Sequence, residues 1–211
     1  GVCKNRKISR KTCRFMKLRV FNILKNTKVE GPETRYCIWV QGCSRHCKGC
    51  QAVHTWSHSG GVLYNVKDII ADIKKQKNIE GVTFLGGEPF EQAEALGIIA
   101  KAVKKEGLGV LCFTGGLLEE LQQKEENKTL LENIDLLIDG AFEADKVDYS
   151  RPWCGSTNQR YHFLTNRYNE EIFEKYKNKI EINISKDGTI FMNGMGNFDE
   201  IQHKIDLTKI I

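Results

Sequence analysis

The sequence lacks any long run of apolar residues. No stretch approaches the roughly 20 residues that a membrane-spanning helix requires, and no basic segment followed by an apolar one opens the chain as a signal peptide would. The pattern therefore predicts neither a membrane protein nor an exported one, and the expected location is the cytoplasm. Proline is also rare, with three residues in 211, and a hydrophobic content of 40% is ordinary for one domain with a sizeable core.

Acidic residues are absent from the first 16 positions. This segment instead carries six basic side chains and no periodic apolar pattern: Lys4, Arg6, Lys7, Arg10, Lys11 and Arg14. Because the whole chain has a net charge of +5, removal of these six charges leaves about −1 for the remainder. The excess of positive charge therefore lies in a terminal tail, residues 1–16, and the net charge gives little support to nucleic-acid binding. A disordered terminus is the simpler interpretation, and an electrostatic dock for a partner or RNA is the alternative.

Eight cysteines in a chain without export signals favour metal ligands and free thiols over disulfides. Three of them, Cys43, Cys47 and Cys50, have the spacing C-x3-C-x2-C directly after an apolar run, 36–40, that predicts a buried strand. Three thiolates on one loop select zinc, copper(I) or an iron-sulfur cluster. A count of three leaves one coordination position open, as a catalytic centre requires. The alternative is a zinc knuckle whose fourth ligand is Cys37, His46 or His54.

A second motif lies at residues 83–90, where TFLGGEPF leads from a short apolar strand through two glycines to an acid and a proline. Proline suits the first turn of a helix, so the motif predicts a strand-to-helix corner. On its own, the motif is equally well explained as a tight turn.

Strands and helices alternate along the chain, which predicts an α/β fold built from parallel β/α units. The strands are expected at 17–25, 36–40, 82–85, 110–113 and 134–138, and the helices from 66 onward, at 89–105, around 117–123 and at 129–132. Loops that follow parallel strands gather at one edge of such a fold. We therefore expect the cysteine loop, the 86–88 turn, Thr114–Gly115 and Asp139 to share one site.

The two motifs together resemble those of the radical S-adenosylmethionine (SAM) superfamily, in which a GGE turn accompanies the three-cysteine loop. Further segments narrow the resemblance to the activating enzymes of anaerobic ribonucleotide reductase: GPETR at 31–35, WVQGC at 39–43, GGEP at 86–89, FTGG at 113–116, and the pair IDGAF at 138–142 and WCGSTNQ at 153–159. This resemblance covers residues 17–165 and implies an incomplete (β/α) barrel.

The resemblance also implies a set of cofactor contacts. Cys43, Cys47 and Cys50 are expected to hold three irons of a [4Fe-4S] cluster, and SAM would chelate the fourth iron through its amino and carboxylate groups. The other expected contacts with SAM are Gly49, Cys50 and Gln51 near the adenine, Gly86, Gly87 and Glu88 near the methionine amine, Thr114 and Gly115 near the ribose or methionine, and Asp139. Glu88 is expected to orient its turn without touching the ligand. No residue of the chain is required as an acid or base.

The chemistry that the resemblance implies is one-electron reduction of SAM to methionine and a 5′-deoxyadenosyl radical, which removes a hydrogen atom from a glycine of a partner glycyl-radical enzyme. A flavodoxin-type protein is the expected electron donor. Asn158, Gln159 and Arg160 are expected either to bind the backbone of the partner's glycine loop or to brace their own strand end. The alternative function is a radical SAM enzyme that modifies a peptide or small molecule directly, and a degenerate scaffold is a third.

Three positions depart from the resembled proteins. Gly49 stands where many radical SAM proteins have an aromatic residue before the last cysteine, although the reductase activases also have glycine there. Ala52 stands where asparagine is frequent, and Cys154 where arginine is usual. Cys154 is interpreted as a radical relay, an extra ligand or a semi-buried small side chain. Cys37 and Cys112 lie inside apolar strands and are predicted core residues.

The last segment, 166–211, extends beyond the resemblance. A helix is predicted at 170–177, and a hairpin is predicted at 180–192 because apolar residues alternate on both sides of a Lys-Asp-Gly turn. Apolar residues at 198, 201, 205 and 210 form a final amphipathic segment. We expect this extension either to close the barrel as a structural cover or to lie over its mouth and select a different substrate.

Overall fold

The computed structural model describes residues 16–198, 200 and 201. The predicted basic tail, apart from its last residue, and the end of the amphipathic segment, including Ile205 and Ile210, lie outside the described residues. In the described part the strands are β1 (Lys17–Thr27), β2 (Arg35–Val40), β3 (Val62–Asn65), β4 (Gly81–Gly86), β5 (Gly109–Phe113), β6 (Leu136–Asp139), β7 (Arg160–Phe163), β8 (Ile180–Ile184) and β9 (Ile190–Gly194). The α-helices are α1 (Val66–Lys75), α2 (Ala93–Lys105), α3 (Leu118–Leu121), α4 (Lys128–Leu131) and α5 (Ile172–Lys175), and short 3-10 turns cover Val53–Thr55, Pro89–Gln92 and Glu125–Asn127.

A mixed sheet of seven strands organises the described residues, in the order β3-β1-β2-β4-β5-β6-β7. The central strands β2, β4, β5 and β6 are parallel, and β1, β3 and β7 add antiparallel strands at the two sides. The parallel arrangement brings the carboxyl ends of the central strands to one rim. The α/β prediction is therefore confirmed, whereas the curvature of an incomplete barrel stays a prediction.

Helices α1 and α2 cover one face of the sheet. Alternation along each strand places Val82, Phe84, Val110 and Cys112 on this face, where they are buried against the helices. The apolar stripes of the helices consist of Val66, Ile69 and Ile73 from α1 and Leu96, Ile99, Ala100 and Val103 from α2. Burial of large aliphatic side chains, each contributing about 1.5–3 kcal/mol, holds the helices to the sheet. Cys112 is confirmed as a core residue.

The opposite face is covered by chain that follows β6. Two apolar clusters form there, one of Leu111, Leu136, Ile138, Trp153, Cys154 and Ile172, and one of Cys37, Trp39 and Leu85 with Phe191 of β9 packed against it. The Trp39 and Phe191 rings meet edge to face, with centroids 5.6 Å apart. Cys37 is thus confirmed as a core residue, and Cys154 is a fully buried small side chain.

Polar contacts also hold the β8–β9 hairpin to this face. The buried carboxylate of Glu30, between β1 and β2, accepts bonds from the Gly194 amide at 2.6 Å and from Asn193 Nδ2 at 3.3 Å. Asn193 also donates to Thr27 Oγ1 at 3.1 Å. Burial raises the pKa of Glu30 to about 7, although these bonds oppose the shift. The predicted hairpin is confirmed, and its inward face is largely polar.

A buried arginine closes the amino ends of the parallel strands. Arg35, at the start of β2, donates to Thr83 Oγ1 at 3.0 Å and to the Val82 carbonyl at 2.6 Å, and it pairs with Glu80. The Tyr168 hydroxyl accepts from Arg35 at 2.8 Å and donates to Glu80 at 2.7 Å. Because Tyr168 belongs to the extension, this network ties the extension to the base of the sheet.

Two short strands were not predicted. β3 lies between the cysteine loop and α1, and β7 directly follows the last motif; with four residues each, they are too short for alternation to be recognised. Asn65 directly precedes α1, and its side chain donates to Asp68 at 2.9 Å and caps no backbone amide. The helix predicted from residue 89 begins as a 3-10 turn and becomes α-helical at Ala93. Among the residues described above, no helix combines the length and apolar character of a membrane span.

Candidate cofactor site

The loops that follow the four parallel strands meet at one rim. The turn after β4 contacts the cysteine loop after β2, because the Gly87 amide donates to the Val40 carbonyl and the Glu88 amide to the Gly42 carbonyl, both at 2.8 Å. The segment after β6 contacts the segment after β5, since the Gly140 amide donates to the Gly116 carbonyl at 3.1 Å. The structure thus brings together the predicted site segments of all four strands.

Two backbone hydrogen bonds close the cysteine loop at its base. The Gly42 amide donates to the Thr55 carbonyl at 2.8 Å, and the Cys43 amide donates to the Trp56 carbonyl at 3.0 Å. Within the loop Cys43 is buried, whereas Cys47 and Cys50 are partly exposed, and all three are free thiols. The loop therefore anchors its first cysteine in the protein and presents the other two toward solvent.

The donor chemistry of this loop suits an iron-sulfur cluster. Backbone N–H groups of Arg45 and His46 lie beside the Cys43 sulfur, and the Ala52 N–H donates to the Cys50 sulfur at 3.4 Å. Burial raises the pKa of Cys43, while those N–H groups favour its thiolate. Among the described residues, no three His, Cys, Asp or Glu side chains are grouped closely enough to hold a metal ion. The ligand set therefore rests on spacing and on donor type.

Glu88 joins three of the predicted site segments. Its buried carboxylate accepts bonds from Arg45 Nε in the cysteine loop at 3.1 Å and from Phe90 N in its own turn at 3.1 Å. After β5 it accepts bonds from Thr114 Oγ1 at 2.7 Å and from Gly115 N at 3.0 Å. Each oxygen thus accepts two bonds, which leaves the carboxylate little capacity for a ligand. These contacts support the interpretation that Glu88 orients the turn.

Gly86 and Gly87 are required by the close packing of two loops. Gly86 has a φ of 103°, a conformation that favours glycine, and a Cβ there would lie 2.8 Å from backbone atoms of Val40. A Cβ on Gly87 would collide with the Gly42 carbonyl. Both glycines therefore keep the GGE turn against the cysteine loop, and their contact with the SAM amine stays a prediction.

Two further residues that were not predicted hold the cysteine loop. Glu91 accepts a bond from the Ser44 amide at 2.8 Å and pairs with His58 Nε2 at 2.7 Å. Gln92 Nε2 donates to the Gln41 carbonyl at 3.1 Å. The signal in the sequence was their position, because residues three and four places after the GGE acid lie on the same side of a helical turn.

The residue before the last cysteine lies against an aromatic ring. Gly49 has a φ of 77°, and a Cβ there would lie 3.4 Å from Cε1 of Phe142 and 3.0 Å from the Ala144 Cβ. Gly155 approaches the ring at its opposite edge, since a Cβ there would lie 3.2 Å from Phe142 Cδ2. The IDGAF and WCGSTNQ segments thus pack together beside the cysteine loop.

The extension also reaches the cysteine loop. Gln51 Nε2 donates to the Gly196 carbonyl at 3.1 Å and to the Tyr149 hydroxyl at 3.4 Å. The sulfur of Met195 lies 3.3 Å from the Cβ position of Gly155. The side chain of Gln51 is therefore engaged by protein, and the expected contact of its backbone with the adenine stays a prediction.

Asp139, at the end of β6, is engaged by the protein itself. Arg160 donates to both of its oxygens, at 2.9 and 2.6 Å, and the Leu118 amide donates at 2.7 Å. His162 Nε2 lies 3.0 Å from the same carboxylate. Burial alone would raise the pKa of Asp139, but these partners hold it below its ordinary value. The contact of Asp139 with SAM stays a prediction, and its observed role is to anchor Arg160.

Asn158 and Gln159 brace the loop that follows β6. Asn158 Nδ2 donates to the Ala141 carbonyl at 2.7 Å. Gln159 Nε2 donates to the Gly140 carbonyl at 3.2 Å, and its Oε1 accepts from the Gly155 amide at 2.8 Å. The Oδ1 atom of Asn158 is buried and has no hydrogen-bond partner within the described part of the chain. That oxygen is an acceptor that a bound backbone N–H could satisfy.

Comparison with known proteins relates this rim to one family. Residues 29–162 match the sequence model of the 4Fe-4S single cluster domain. The chain is 36% identical over 142 residues to the anaerobic ribonucleoside-triphosphate reductase-activating protein of Haemophilus influenzae, covering 64% of this chain and 90% of that relative. It is also 36% identical over 145 residues to the protein of the same name from Vibrio cholerae, covering 65% of this chain and 92% of the relative. The chain belongs to this family of activating proteins.

Membership of the activating-protein family confirms the predicted class of enzyme, a radical SAM oxidoreductase. It also confirms the two predicted cofactors, the [4Fe-4S] cluster and SAM, and the match to a 4Fe-4S domain decides against the zinc interpretation. The crystal structure of QueE from Escherichia coli aligns with 49% of this chain and 55% of its own, with a TM-score of 0.40 and 20% identity. The match to the 4Fe-4S single cluster domain ends within β7, and the extension from residue 166 lies beyond the matched domain.

Proposed function

We propose that the enzyme reductively cleaves SAM at its [4Fe-4S] cluster and removes a hydrogen atom from a glycine of a partner enzyme of the anaerobic ribonucleotide reductase type. The observation that supports this most directly is the rim itself. The cysteine loop, the GGE turn, the 113–116 segment and the late IDGAF and WCGSTNQ segments meet there, all within the matched residues 29–162.

The cluster, when bound and reduced, supplies the electron that splits SAM into methionine and a 5′-deoxyadenosyl radical. Residues of the chain bind and orient. We assign Cys43, Cys47 and Cys50 as the iron ligands, and Glu88 fixes the cysteine loop relative to Thr114–Gly115 through its four hydrogen bonds. Fixed geometry is the contribution that a protein makes to hydrogen abstraction, because the target carbon must lie close to the radical carbon.

The other expected SAM contacts are proposed because they lie at the same rim as the cysteine loop. Gly86 and Gly87 offer backbone carbonyls near the cysteine loop, and the backbone of residues 49–51 adjoins the last ligand. We propose a flavodoxin-type electron donor, since Cys47 and Cys50 are partly exposed at the rim, where an electron can enter from a docked protein. A low-potential cluster needs a reducing compartment, and we propose the cytoplasm.

We propose that residues 17–165 form the catalytic unit, curved as an incomplete barrel, and that residues 166–211 form a cover. The contacts of Glu30 with the β8–β9 hairpin and of Tyr168 with Arg35 support this division, because they attach the extension to the catalytic unit at two places. Residues 1–16 are proposed as a separate basic tail.

The partner is proposed to be held through its backbone near Asn158. An inserted glycine loop is extended peptide, and a protein binds extended peptide mainly through hydrogen bonds to its backbone amides. Asn158 Oδ1 is a buried acceptor without a partner in the described chain, and a peptide N–H would satisfy it. The neighbouring Gln159 and Arg160 are already engaged by Gly140, Gly155 and Asp139, so their role in binding is to hold Asn158 in place.

One observation favours direct modification of a peptide or small molecule as the alternative. Met195 and Gly196 lie beside Gly155 and Gln51 at the rim. They belong to an extension that the family match does not reach, and an added cover at the mouth favours a smaller substrate.

The test is to mix reconstituted enzyme, SAM and dithionite with a glycyl-radical reductase under anaerobic conditions. We expect a doublet glycyl signal by electron paramagnetic resonance, and Asn158→Ala should weaken that signal more than it slows SAM cleavage without partner. Asn133→Ala is the matched control, since Asn133 Nδ2 also donates to one carbonyl, Thr129 O, at 2.7 Å but lies beside α4. Absence of a protein radical, together with a mass change on a peptide or metabolite, would establish the alternative.

A further inference from the structure

Phe142, the last residue of the IDGAF segment, lies at the rim beside the cysteine loop. It follows β6, two residues after the Gly140 turn, and its side chain is partly buried. One edge of the ring faces Gly49, where a Cβ would lie 3.4 Å from Cε1, and the opposite edge faces Gly155, where a Cβ would lie 3.2 Å from Cδ2. The ring therefore stands directly beside the loop that carries the last cysteine.

The backbone on both sides of Phe142 is fixed. The Ala141 carbonyl accepts from Asn158 Nδ2 at 2.7 Å, and the Glu143 amide donates to Ser156 Oγ at 3.3 Å. Both partners come from the WCGSTNQ segment, which thus clamps the residues before and after the ring. A ring held in this way is positioned before any ligand arrives, which lowers the entropic cost of binding.

Position 49 cannot supply an aromatic contact of its own. Gly49 has a φ of 77°, which L side chains rarely adopt, and a Cβ there would press on Ala144 at 3.0 Å. An aromatic group beside the backbone of residues 49–51 must therefore come from another segment. Phe142 brings such a group from the end of a different strand, and part of its surface remains exposed to solvent.

We propose that Phe142 is an adenine-binding residue of the SAM site, so that the IDGAF motif provides the aromatic contact that Gly49 does not. A flat apolar ring is suited to a purine, because aromatic side chains contact nucleobases by stacking or edge to face. The inference rests on the proposed function, since it requires SAM at this rim with its adenine beside residues 49–51. It assigns to the IDGAF segment a role in cofactor binding in addition to its packing.

The experiment measures binding of S-adenosylhomocysteine to cluster-loaded protein by anaerobic titration calorimetry. The series is Phe142→Tyr, Phe142→Leu and Phe142→Ala, in which tyrosine keeps the ring and leucine keeps apolar volume without it. If the ring contacts the adenine, the affinity depends on an aromatic side chain at this position. The tyrosine variant then binds S-adenosylhomocysteine like the wild type, whereas the leucine and alanine variants both bind it about tenfold more weakly or worse. Iron content should stay unchanged throughout. Phe173→Leu is the matched control, because that ring packs on Tyr161 with centroids 4.8 Å apart.

If the Phe142 ring only packs against the protein, the affinities of the three variants rank differently. Leucine would then bind like the wild type and only alanine would be weak, or iron would be lost in parallel with affinity; either result overturns the proposal. Unchanged affinity in Phe142→Ala overturns it as well. Failure of the wild-type protein to bind S-adenosylhomocysteine at all would instead overturn the proposed function, and the wild-type titration alone reveals that case.

Discussion

The Nε atom of Arg45 donates to Glu88 Oε2 at 3.1 Å, and this bond joins the three-cysteine loop to the GGE turn. The same guanidinium lies against the 113–116 segment, where a Cβ on Gly116 would approach Arg45 Nη2 at 3.0 Å. Because Arg45 stands between Cys43 and Cys47 in sequence, the position of the cysteine loop depends on an acid on a different strand end.

Replacement of Glu88 by glutamine should therefore weaken the rim. Glutamine keeps only one of the two acceptor oxygens and replaces the other with an N–H₂ group. That group is a donor, and it faces the two donors that the lost oxygen had accepted from: Arg45 and Gly115, or Thr114 and Phe90. We expect a loss of about 1–3 kcal/mol in the free energy of unfolding, measured by anaerobic urea denaturation, together with weaker SAM binding. Glu94→Gln, on the exposed side of α2, is the matched control, and equal stability of the two variants would refute the role assigned to Glu88.

Iron analysis tests the cysteine loop. Anaerobically reconstituted protein should carry about four irons and four sulfides, and Cys47→Ala should lose them, because two thiols cannot hold the cluster. Cys154→Ala should keep the full complement, since Cys154 is buried in the apolar cluster with Leu111 and Trp153. A single tightly held zinc without sulfide in the wild type would contradict the site.

The raised pKa of Glu30 predicts that the free energy of unfolding falls as pH rises from about 5 to 7. Burial raises its pKa from 4.5 to about 7 in the folded protein, so over this range the folded state keeps a proton that the unfolded state has released. The free energy of unfolding then decreases with increasing pH, by at most about 3 kcal/mol. Glu30→Gln should remove this decrease, because the amide stays neutral. Urea unfolding at a series of pH values, followed by tryptophan fluorescence, measures the slope.

The control for Glu30 is Glu174→Gln, which changes an exposed glutamate of α5 and should leave the slope as in the wild type. Nearby Glu181 also acts on Glu30, since its charge adds to the rise of the Glu30 pKa. A slope that is identical in Glu30→Gln and the wild type would show that another group is responsible.

Arg35 at the base of the sheet should be costly to replace. Arg35→Met leaves Glu80 and Tyr168 without their buried donor, and Glu80 is only partly exposed. We expect a loss of about 2–4 kcal/mol in the free energy of unfolding. Lys25→Met removes an exposed pair with Asp72 at 2.8 Å and should change stability by less than about 1 kcal/mol. Similar losses in both variants would argue against a special role for the buried network.

Local patterns explain why much of the fold could be predicted. The strands at 36–40 and 82–85 are apolar apart from Thr83 and are buried throughout, as parallel strands covered on both faces require, and the helix from Val66 shows its apolar residues at helical spacing. The proposed iron ligands are equally local, because three thiols within eight residues must lie on one loop. By contrast β3 and β7, with four residues each, form only because each one pairs with the free edge of a neighbouring strand, β1 and β6 respectively.

The sequence by itself determined the chemistry of the site: the soft ligands, the glycine turn and the parallel strands whose ends place them at one rim. Only the tertiary structure decided which side chains hold that rim together. The partners of Glu88 lie 43 and 26 residues away in the chain, and Phe142 meets Gly49 across two different strand ends. No local period encodes such contacts, because they depend on how closely two glycine turns approach and on which loop then fills the space beside them.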